Sequence, residues 1–160
     1  MLMQRFRVLK IKRSLAAMAV LFVVLGLSST SFAVLGGKLA SVAADQSHMK
    51  ASLKVTSNGL YQIHELQTDG GNVVREYVSP DGNVFGVAWT GHQMPEYSQL
   101  LGSYTDLINK AAQSRSNHRA PLVIQQPGFV FSTFGHMRFY EGHAYIPGQV
   151  PAGVTPEEIR

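Results

Sequence analysis

The 160-residue chain contains no cysteine, and this absence removes several kinds of chemistry at once. Disulfides, thiol nucleophiles and cysteine-ligated metals are excluded, so in an oxidising compartment stability must come from packing alone. The sequence also lacks the phosphate-binding glycine loops, the nucleophile elbow and the His-Glu-x-x-His zinc pattern. We therefore expect no cofactor and no metal. Enzymatic activity is left uncertain, and a non-enzymatic role is favoured.

Acidic residues are missing from the first 33 residues, and this segment accounts for the basic balance of the chain. The whole sequence has 14 Lys and Arg against 10 Asp and Glu, but residues 34–160 keep only 9 of the basic residues and all 10 acidic ones. The excess positive charge therefore does not indicate nucleic-acid binding. Within this part, Arg115, His118 and Arg119 form a small basic spot in a polar loop, which we expect to be solvated rather than phosphate-binding.

The N-terminal segment has the order of a secretory signal peptide. A basic stretch ends at Arg13, residues 15–27 have no polar side chain, and Ser31 and Ala33 are the small residues that a signal peptidase reads. A helix of about thirteen residues spans about 20 Å of a roughly 30 Å hydrocarbon core, so cleavage after Ala33 is favoured over an uncleaved membrane anchor. We predict a signal peptide at 1–33, a single domain at 34–160 and a periplasmic or secreted location. The membrane is then contacted only transiently, through the signal peptide.

Alternating runs bounded by turn residues indicate an antiparallel meander. The three clearest runs are 61–68, 73–79 and 84–90. Apolar residues then recur at helical spacing over 97–111, which predicts one main amphipathic helix, and four shorter strand-like runs follow over 122–146. We predict an α+β fold in which an antiparallel sheet carries this helix, with a weakly periodic short helix over 41–51.

Tight hairpin loops after the first and second runs would fix the register of the meander. That register places Tyr77 opposite Phe85 and gives one face the side chains of His64, Arg75 and Trp89 as well. Arg75 is then either a structural cation at the sheet edge or an anion-binding residue beside His64 and Tyr77. Both interpretations stay open.

The same register places Glu65 opposite Glu76 on the other face. Facing carboxylates repel and raise the pKa of one partner, which is the arrangement that acid–base pairs use. With His64 nearby, these residues are the weak catalytic candidates for a small hydrolase or carbohydrate-active enzyme. A pair of solvated acids at a strand end is the alternative.

Residues 136–146 form the second candidate surface. With Glu141-Gly142 as a two-residue turn, amphipathic side chains share one predicted face: His136, Arg138, Tyr140, His143 and Tyr145. The opposite, apolar set is predicted to be core: Met137, Phe139, Ala144 and Ile146. The first set suits a polar ligand, a sugar or a partner protein, or is simply an exposed, half-packed face. Its two histidines lie about 13 Å apart, too far for one metal.

Several segments resemble one known family. They are His64–Thr68, Val74–Gly82 with Val84–Trp89, Gly135–Arg138 with Ala144–Pro147, Val34–Gly37 and Pro151–Val154. They resemble a family of small exported Gram-negative bacterial proteins that is catalogued only as a domain of unknown function. The resemblance implies export and a single α+β domain. It transfers no activity, substrate or catalytic residue.

We therefore expect an exported envelope protein that acts by binding or as an accessory. The predicted ligand or partner face combines both candidate surfaces: Arg75, Tyr77, Trp89, Arg138, Tyr140, His143 and Tyr145. The partner is left open between an envelope protein and a glycan. The alternatives are the hydrolase using Glu65 and Glu76 and a structural or assembly subunit with an open edge strand.

Overall fold

A computed structural model describes residues 35–160, so the predicted signal segment and its cleavage site at Ala33 lie outside the described residues. The described part is an α+β unit with one seven-stranded antiparallel sheet, which confirms the predicted fold class in outline. The strands are β1 (Ser52–Ser57), β2 (Gln62–Gln67), β3 (Val73–Val78), β4 (Val84–Gly91), β5 (Leu122–Gln126), β6 (Phe129–His136) and β7 (Phe139–Tyr145). Their order is β1-β2-β3-β4-β7-β6-β5, so a four-stranded meander is extended by a second one that joins through β7.

The helices are α1 (Val42–Met49), α2 (Tyr97–Leu101) and α3 (Thr105–Ser114). The predicted apolar stripe does face the core, but the single main helix is wrong, because a 3₁₀ turn at Gly102–Tyr104 separates α2 from α3. Gly102 has a φ of 52°, a backbone conformation that favours glycine and interrupts a regular helix. Among residues 35–160, no helix is both long enough and apolar enough to cross a membrane.

The two faces of the sheet are covered by different parts of the chain. On the helix face, residues such as Leu66, Val87 and Phe131 are buried together with the helices. On the opposite face, which we call the tail face, residues 150–160 fold back as the tail. Val154 and Ile159 of the tail are buried in a second apolar cluster over the middle strands. The alternation of side chains along each strand therefore decides which environment a residue meets.

The hairpin between β2 and β3 has a three-residue loop. Thr68 N donates to Asn72 O at 2.9 Å, and Gly71 takes the positive φ of 77° that such loops need. The prediction assumed a two-residue turn at the same glycines. Every β2–β3 pair is therefore displaced by one residue from the predicted register. Because successive side chains of a strand point to opposite faces, this displacement changes which residues of β2 and β3 share a face.

The hairpin between β3 and β4 has the predicted loop but adds a β-bulge. The register shifts between Tyr77 and Val78, so Tyr77 pairs with Gly86, and Phe85 is the extra residue. The predicted pair of Tyr77 and Phe85 is therefore wrong. Beyond the bulge, the residues of β4 lie on the opposite face from the predicted one, which puts Trp89 on the helix face, away from Tyr77.

The hairpin between β6 and β7 turns at a different place from the predicted one. Met137 and Arg138 form its two-residue turn, with φ values of 50° and 64°. Two positive φ angles define a type I′ turn, for which Asn-Gly is the usual sequence, so nothing in Met-Arg signals it. The predicted turn at Glu141-Gly142 lies inside β7.

The prediction that five amphipathic residues of 136–145 share one face is wrong for the same reason. The side chains of β7 alternate between the two faces of the sheet without interruption, so His143 and Tyr145 lie on the tail face while Tyr140 lies on the helix face. Met137 and Phe139, predicted as core, are instead 87% and 43% exposed.

Candidate functional site

The two predicted catalytic carboxylates lie on opposite faces of the sheet. Glu65 pairs with Arg75 on the tail face, and its Oε2 accepts a hydrogen bond from Arg75 Nε at 2.8 Å. This partly exposed ion pair contributes about 1 kcal/mol at most. Glu76 instead lies opposite His64 on the helix face. The predicted facing of Glu65 and Glu76 is wrong, because the three-residue loop shifts the register.

Glu76 belongs to a buried polar cluster under the helices. The residue is 1% exposed, and Asp45 of α1, which is fully buried, accepts a hydrogen bond from Gln99 Nε2 at 2.7 Å. Burial, and then the negative charge of Asp45 and a hydrogen bond with it, raises the pKa of Glu76 to about 9. Glu76 therefore retains its proton at neutral pH. An enclosed carboxyl of this kind is out of reach of a substrate, and its position favours a structural role.

His64, the third catalytic candidate, is also buried on the helix face. Its Nε2 lies 3.2 Å from Gln62 Oε1, and burial lowers the pKa of its imidazole, so the ring is neutral at neutral pH. Within residues 35–160, no group of three or more His, Asp or Glu side chains could hold a metal ion. His64 Nδ1 is buried without a hydrogen-bond partner among residues 35–160, so this region is an enclosed polar cluster rather than an open site.

Tyr77 anchors the tail. Its side chain is 1% exposed, and its hydroxyl both donates to Arg160 O at 2.8 Å and accepts from Arg160 N at 3.1 Å. Burial raises the pKa of the phenol. Arg75 Nη1 donates to the same carbonyl at 3.3 Å, and Tyr61 donates to Glu158 at 2.9 Å. These contacts hold the tail across the middle strands.

The tail leaves the other half of its sheet face open, and a groove of about 440 Å³ lies there. This volume is within the usual range of small-ligand sites. We call it the tail groove, and its lining residues are Arg75, Trp89, Thr90, Ser132, Phe134, Glu141, Gly142, His143 and Arg160. Three residues of the predicted ligand face thus border one groove, although the ring of Trp89 itself packs in the core against the aromatic rings of Tyr97 and Phe131.

Polar and aromatic groups alternate along the tail groove. His143 lies directly opposite Ser132, and its ring stacks with that of Tyr145 at 6.3 Å between centroids. Burial lowers the pKa of His143, so its imidazole is neutral and offers one donor and one acceptor. A second hollow continues past Ser132 and His143 towards Tyr145 and Gln125. The open surface is therefore elongated, with donors, acceptors and ring faces along its length.

Four residues of the predicted ligand face do not line the tail groove: Tyr77 is buried under the tail, Tyr145 lines the second hollow, and Arg138 and Tyr140 lie elsewhere. Tyr140 is on the helix face, where its ring lies so close to Gly135 that a Cβ there would be 2.8 Å from Tyr140 Cδ1. Arg138 is in the turn, and its carbonyl lies 3.3 Å from Nδ1 of His92. The structure therefore divides the predicted face between two surfaces.

Some residues of these sites were absent from the sequence-based candidates. Asp45 follows Val42 by three positions and precedes Met49 by four, so helical spacing alone places its carboxyl on the buried side of α1. That signal was present in the sequence. Ser132 and Arg160 carry no comparable signal, because they meet at the groove only when the tail folds back.

A family model described as "Protein of unknown function (DUF2844)" matches residues 31–159. No curated protein and no solved structure matches the chain. The match covers nearly all of the residues that form the sheet, the helices and the tail. This protein belongs to the DUF2844 family of proteins of unknown function.

Proposed function

We propose that the protein is an exported, non-enzymatic binding protein of the cell envelope, and that the tail groove is its ligand site. The observation that carries this proposal is the incomplete cover of the tail face. The tail packs over the middle strands with Val154 and Ile159, whereas beside it residues of β6 and β7, with Thr90 of β4, line an open polar and aromatic groove. A sheet face that is covered on one half and open on the other offers a preformed, rigid surface to a ligand.

The chemistry of the groove favours a glycan as the ligand. Arg75 is already paired with Glu65, and the lining adds the charges of one acid, Glu141, and one base, Arg160. Charge is therefore nearly balanced, which suits a neutral ligand better than an ion. Sugar hydroxyls both donate and accept hydrogen bonds, as do Ser132 and the neutral imidazole of His143.

The aromatic side chains supply the remaining element of sugar recognition. Phe134 is 40% exposed, and the ring of Tyr145 continues the surface beyond His143. Aromatic rings offer an apolar face on which the C–H side of a sugar ring can stack. The hydrolase alternative has less support, because Glu65 and Glu76 are separated by the sheet.

Export is supported by the sequence of residues 1–33, with their basic, apolar and small-residue zones in the order of a signal peptide. We propose a periplasmic or secreted location on this basis. The test is the intact mass of the protein recovered from an osmotic-shock fraction. A mass starting at Val34 supports export with cleavage, whereas an intact Met1 form confined to the cytosol contradicts it.

Isothermal titration with chitotriose and with soluble peptidoglycan fragments tests the ligand site. We expect binding of at least one of these glycans, weakened about tenfold or more in the variant His143→Ala, because each lost hydrogen bond and ring contact costs about 1 kcal/mol. The matched control is His48→Ala, an exposed histidine on α1. Equal weakening by both substitutions, or no glycan binding at millimolar concentration, contradicts the proposal.

A second candidate function is assembly through edge strand β1. All six residues of this strand are exposed, and Leu53 and Val55 on one of its faces are 37% and 51% exposed. An unprotected edge strand can pair with a second copy of the chain. Light scattering tests this: a dimer that dissociates in the variant Val55→Lys supports assembly, and a monomer at high concentration contradicts it.

A further inference from the structure

The loop that joins α3 to β5 borders a second groove, which lies at the end of the β6–β7 hairpin. Arg115, His118 and Arg119 of this loop line it together with His136 of β6, and its volume is about 610 Å³. We call it the basic groove. No Asp or Glu is among the residues that line it. The structure thus turns what the sequence presented as a solvated basic spot into one wall of a concave site.

The arginines of the basic groove have no carboxylate partner in the described part of the chain. Within residues 35–160, the ion pair with a nitrogen–oxygen distance below 4.0 Å joins Arg75 and Glu65, which lie on the tail face. Arg115 uses Nη1 for a hydrogen bond to Ala120 O at 3.1 Å, while its Nε–H is buried without a hydrogen-bond partner in residues 35–160. Residues 34–160 as a whole carry slightly more acidic than basic residues, so this concentration of positive charge is local.

The rest of the lining is apolar and unusually exposed. Met137 is 87% exposed and Met94 is 50% exposed, and both line the basic groove. Met137 occupies a left-handed turn position, which costs a non-glycine residue roughly 1 kcal/mol. Methionine side chains are flexible and polarizable, and they are common on surfaces that hold apolar ligands of variable shape. Phe134 borders the same groove from β6.

We propose that the basic groove binds an amphiphile: a phosphate or similarly compact anion carried on an apolar body. The guanidinium groups of Arg115 and Arg119 would hold the anion, since the planar donor fork of arginine matches phosphate oxygens. Met94 and Met137 would cover the apolar part. Phe134 borders both grooves, but the residues that would hold this ligand, Arg115, Arg119, Met94 and Met137, do not line the tail groove, and the proposal does not depend on glycan binding.

The test is a titration of the protein, followed by NMR, with three probes at matched ionic strength. They are dihexanoylphosphatidylglycerol kept below its micelle concentration, dihexanoylphosphatidylcholine, and inorganic phosphate. We expect the phosphatidylglycerol to bind at least tenfold more tightly than either of the others, and its affinity to fall as salt is raised. Phosphatidylcholine bound equally well removes the requirement for net charge and overturns the proposal. Inorganic phosphate bound equally well removes the requirement for an apolar body and also overturns it.

Two substitutions identify the groove as the site. Arg119→Gln should weaken phosphatidylglycerol binding about tenfold, and Met137→Ser should weaken phosphatidylglycerol but not inorganic phosphate. Both residues are exposed, so the fold is expected to persist, as circular dichroism can verify. The matched control is Lys110→Gln, an exposed cation of α3 that does not line the groove. If Lys110→Gln has the same effect as Arg119→Gln, binding is general electrostatic attraction and the assigned site is wrong.

Discussion

Replacing Glu76 by glutamine should remove a pH dependence of stability that this buried carboxyl imposes. Glutamine has nearly the size of glutamate, and its amide can donate to Asp45, which lies beside it. The substitution therefore keeps the packing under α1 and removes only the titrating group. The protonated carboxyl and the amide are similar in shape and hydrogen-bonding capacity, so both folded proteins should have the same structure at pH 6.

The size and sign of the effect follow from the two pKa values of this group. In the unfolded chain Glu76 titrates near 4.5, and in the folded protein burial and Asp45 raise its pKa to about 9. Between these values the folded state binds one more proton, so the free energy of unfolding falls by about 1.4 kcal/mol per pH unit as pH rises. The stabilisation is complete below pH 4.5 and is lost as pH approaches 9. From pH 6 to pH 8 the loss is about 2.7 kcal/mol.

Urea denaturation at pH 6, 7 and 8 measures this quantity. Burial lowers the pKa values of His64 and His143, so their titration makes stability rise with pH instead, but they are present in both proteins and cancel in the comparison. We expect the variant Glu76→Gln to gain about 2–3 kcal/mol over the parent between pH 6 and pH 8. The control Glu157→Gln removes an exposed carboxyl and should follow the parent. The same pH slope in the parent and in Glu76→Gln would refute the reasoning.

Two further substitutions test the packing around the tail groove and the tail. Gly142→Ala should destabilise the protein by about 1–3 kcal/mol in urea unfolding followed by Trp89 fluorescence, because a Cβ there would lie 2.4 Å from Trp89 Cζ2. In the control Gly128→Ala the Cβ has no atom within 4 Å, so the midpoint should hardly move. Tyr77→Phe should cost about 1–2 kcal/mol and speed hydrogen exchange in the tail, because both hydrogen bonds with the Arg160 backbone are lost. Unchanged exchange in the tail would show that its apolar contacts alone hold it.

The hairpins and the helical stripe could be predicted from the sequence because their signals are local. Turn residues bracket β2, β3 and β4, and apolar residues recur at helical spacing along α2 and α3. The register could not be predicted in the same way. Between β3 and β4 it depends on the β-bulge at Phe85, which places that ring in the cluster under the tail, so a distant segment decides a local pairing. Between β2 and β3 it depends on whether the turn at the two glycines has two or three loop residues, and the sequence fits both.

Edge strand β1 was missed for a different reason. Leu53 and Val55 alternate with polar residues as in a strand, but the run is short. Leu53 also fits the weak helical spacing of Val42 and Met49, so the sequence left this segment undecided between helix and strand. The turn at Met137-Arg138 was missed because neither residue type signals positive φ. The turn is a case of tertiary context overriding local preference.

Individual residues of the candidate sites could be predicted from the sequence, but which of them lie close together in space could not. Arg75 and His143 were both candidates from the sequence, and the structure places them on one groove because Arg75 of β3 and His143 of β7 both pair with Ala88 of β4. Glu65 and Glu76 were candidates as a pair, but the observed register is displaced by one residue from the predicted one and places them on opposite faces of the sheet. The basic groove needs the loop after α3 to meet β6, a contact without a local signal in the sequence.

The claim that the tail groove is a ligand site is tested most directly by mapping amide chemical shifts on the ¹⁵N-labelled protein during titration with chitotriose. The account predicts saturable shifts concentrated at Thr90, Ser132 and His143, with the amides of α1 unmoved. Shifts confined to the helix face, or none at millimolar chitotriose, would contradict it.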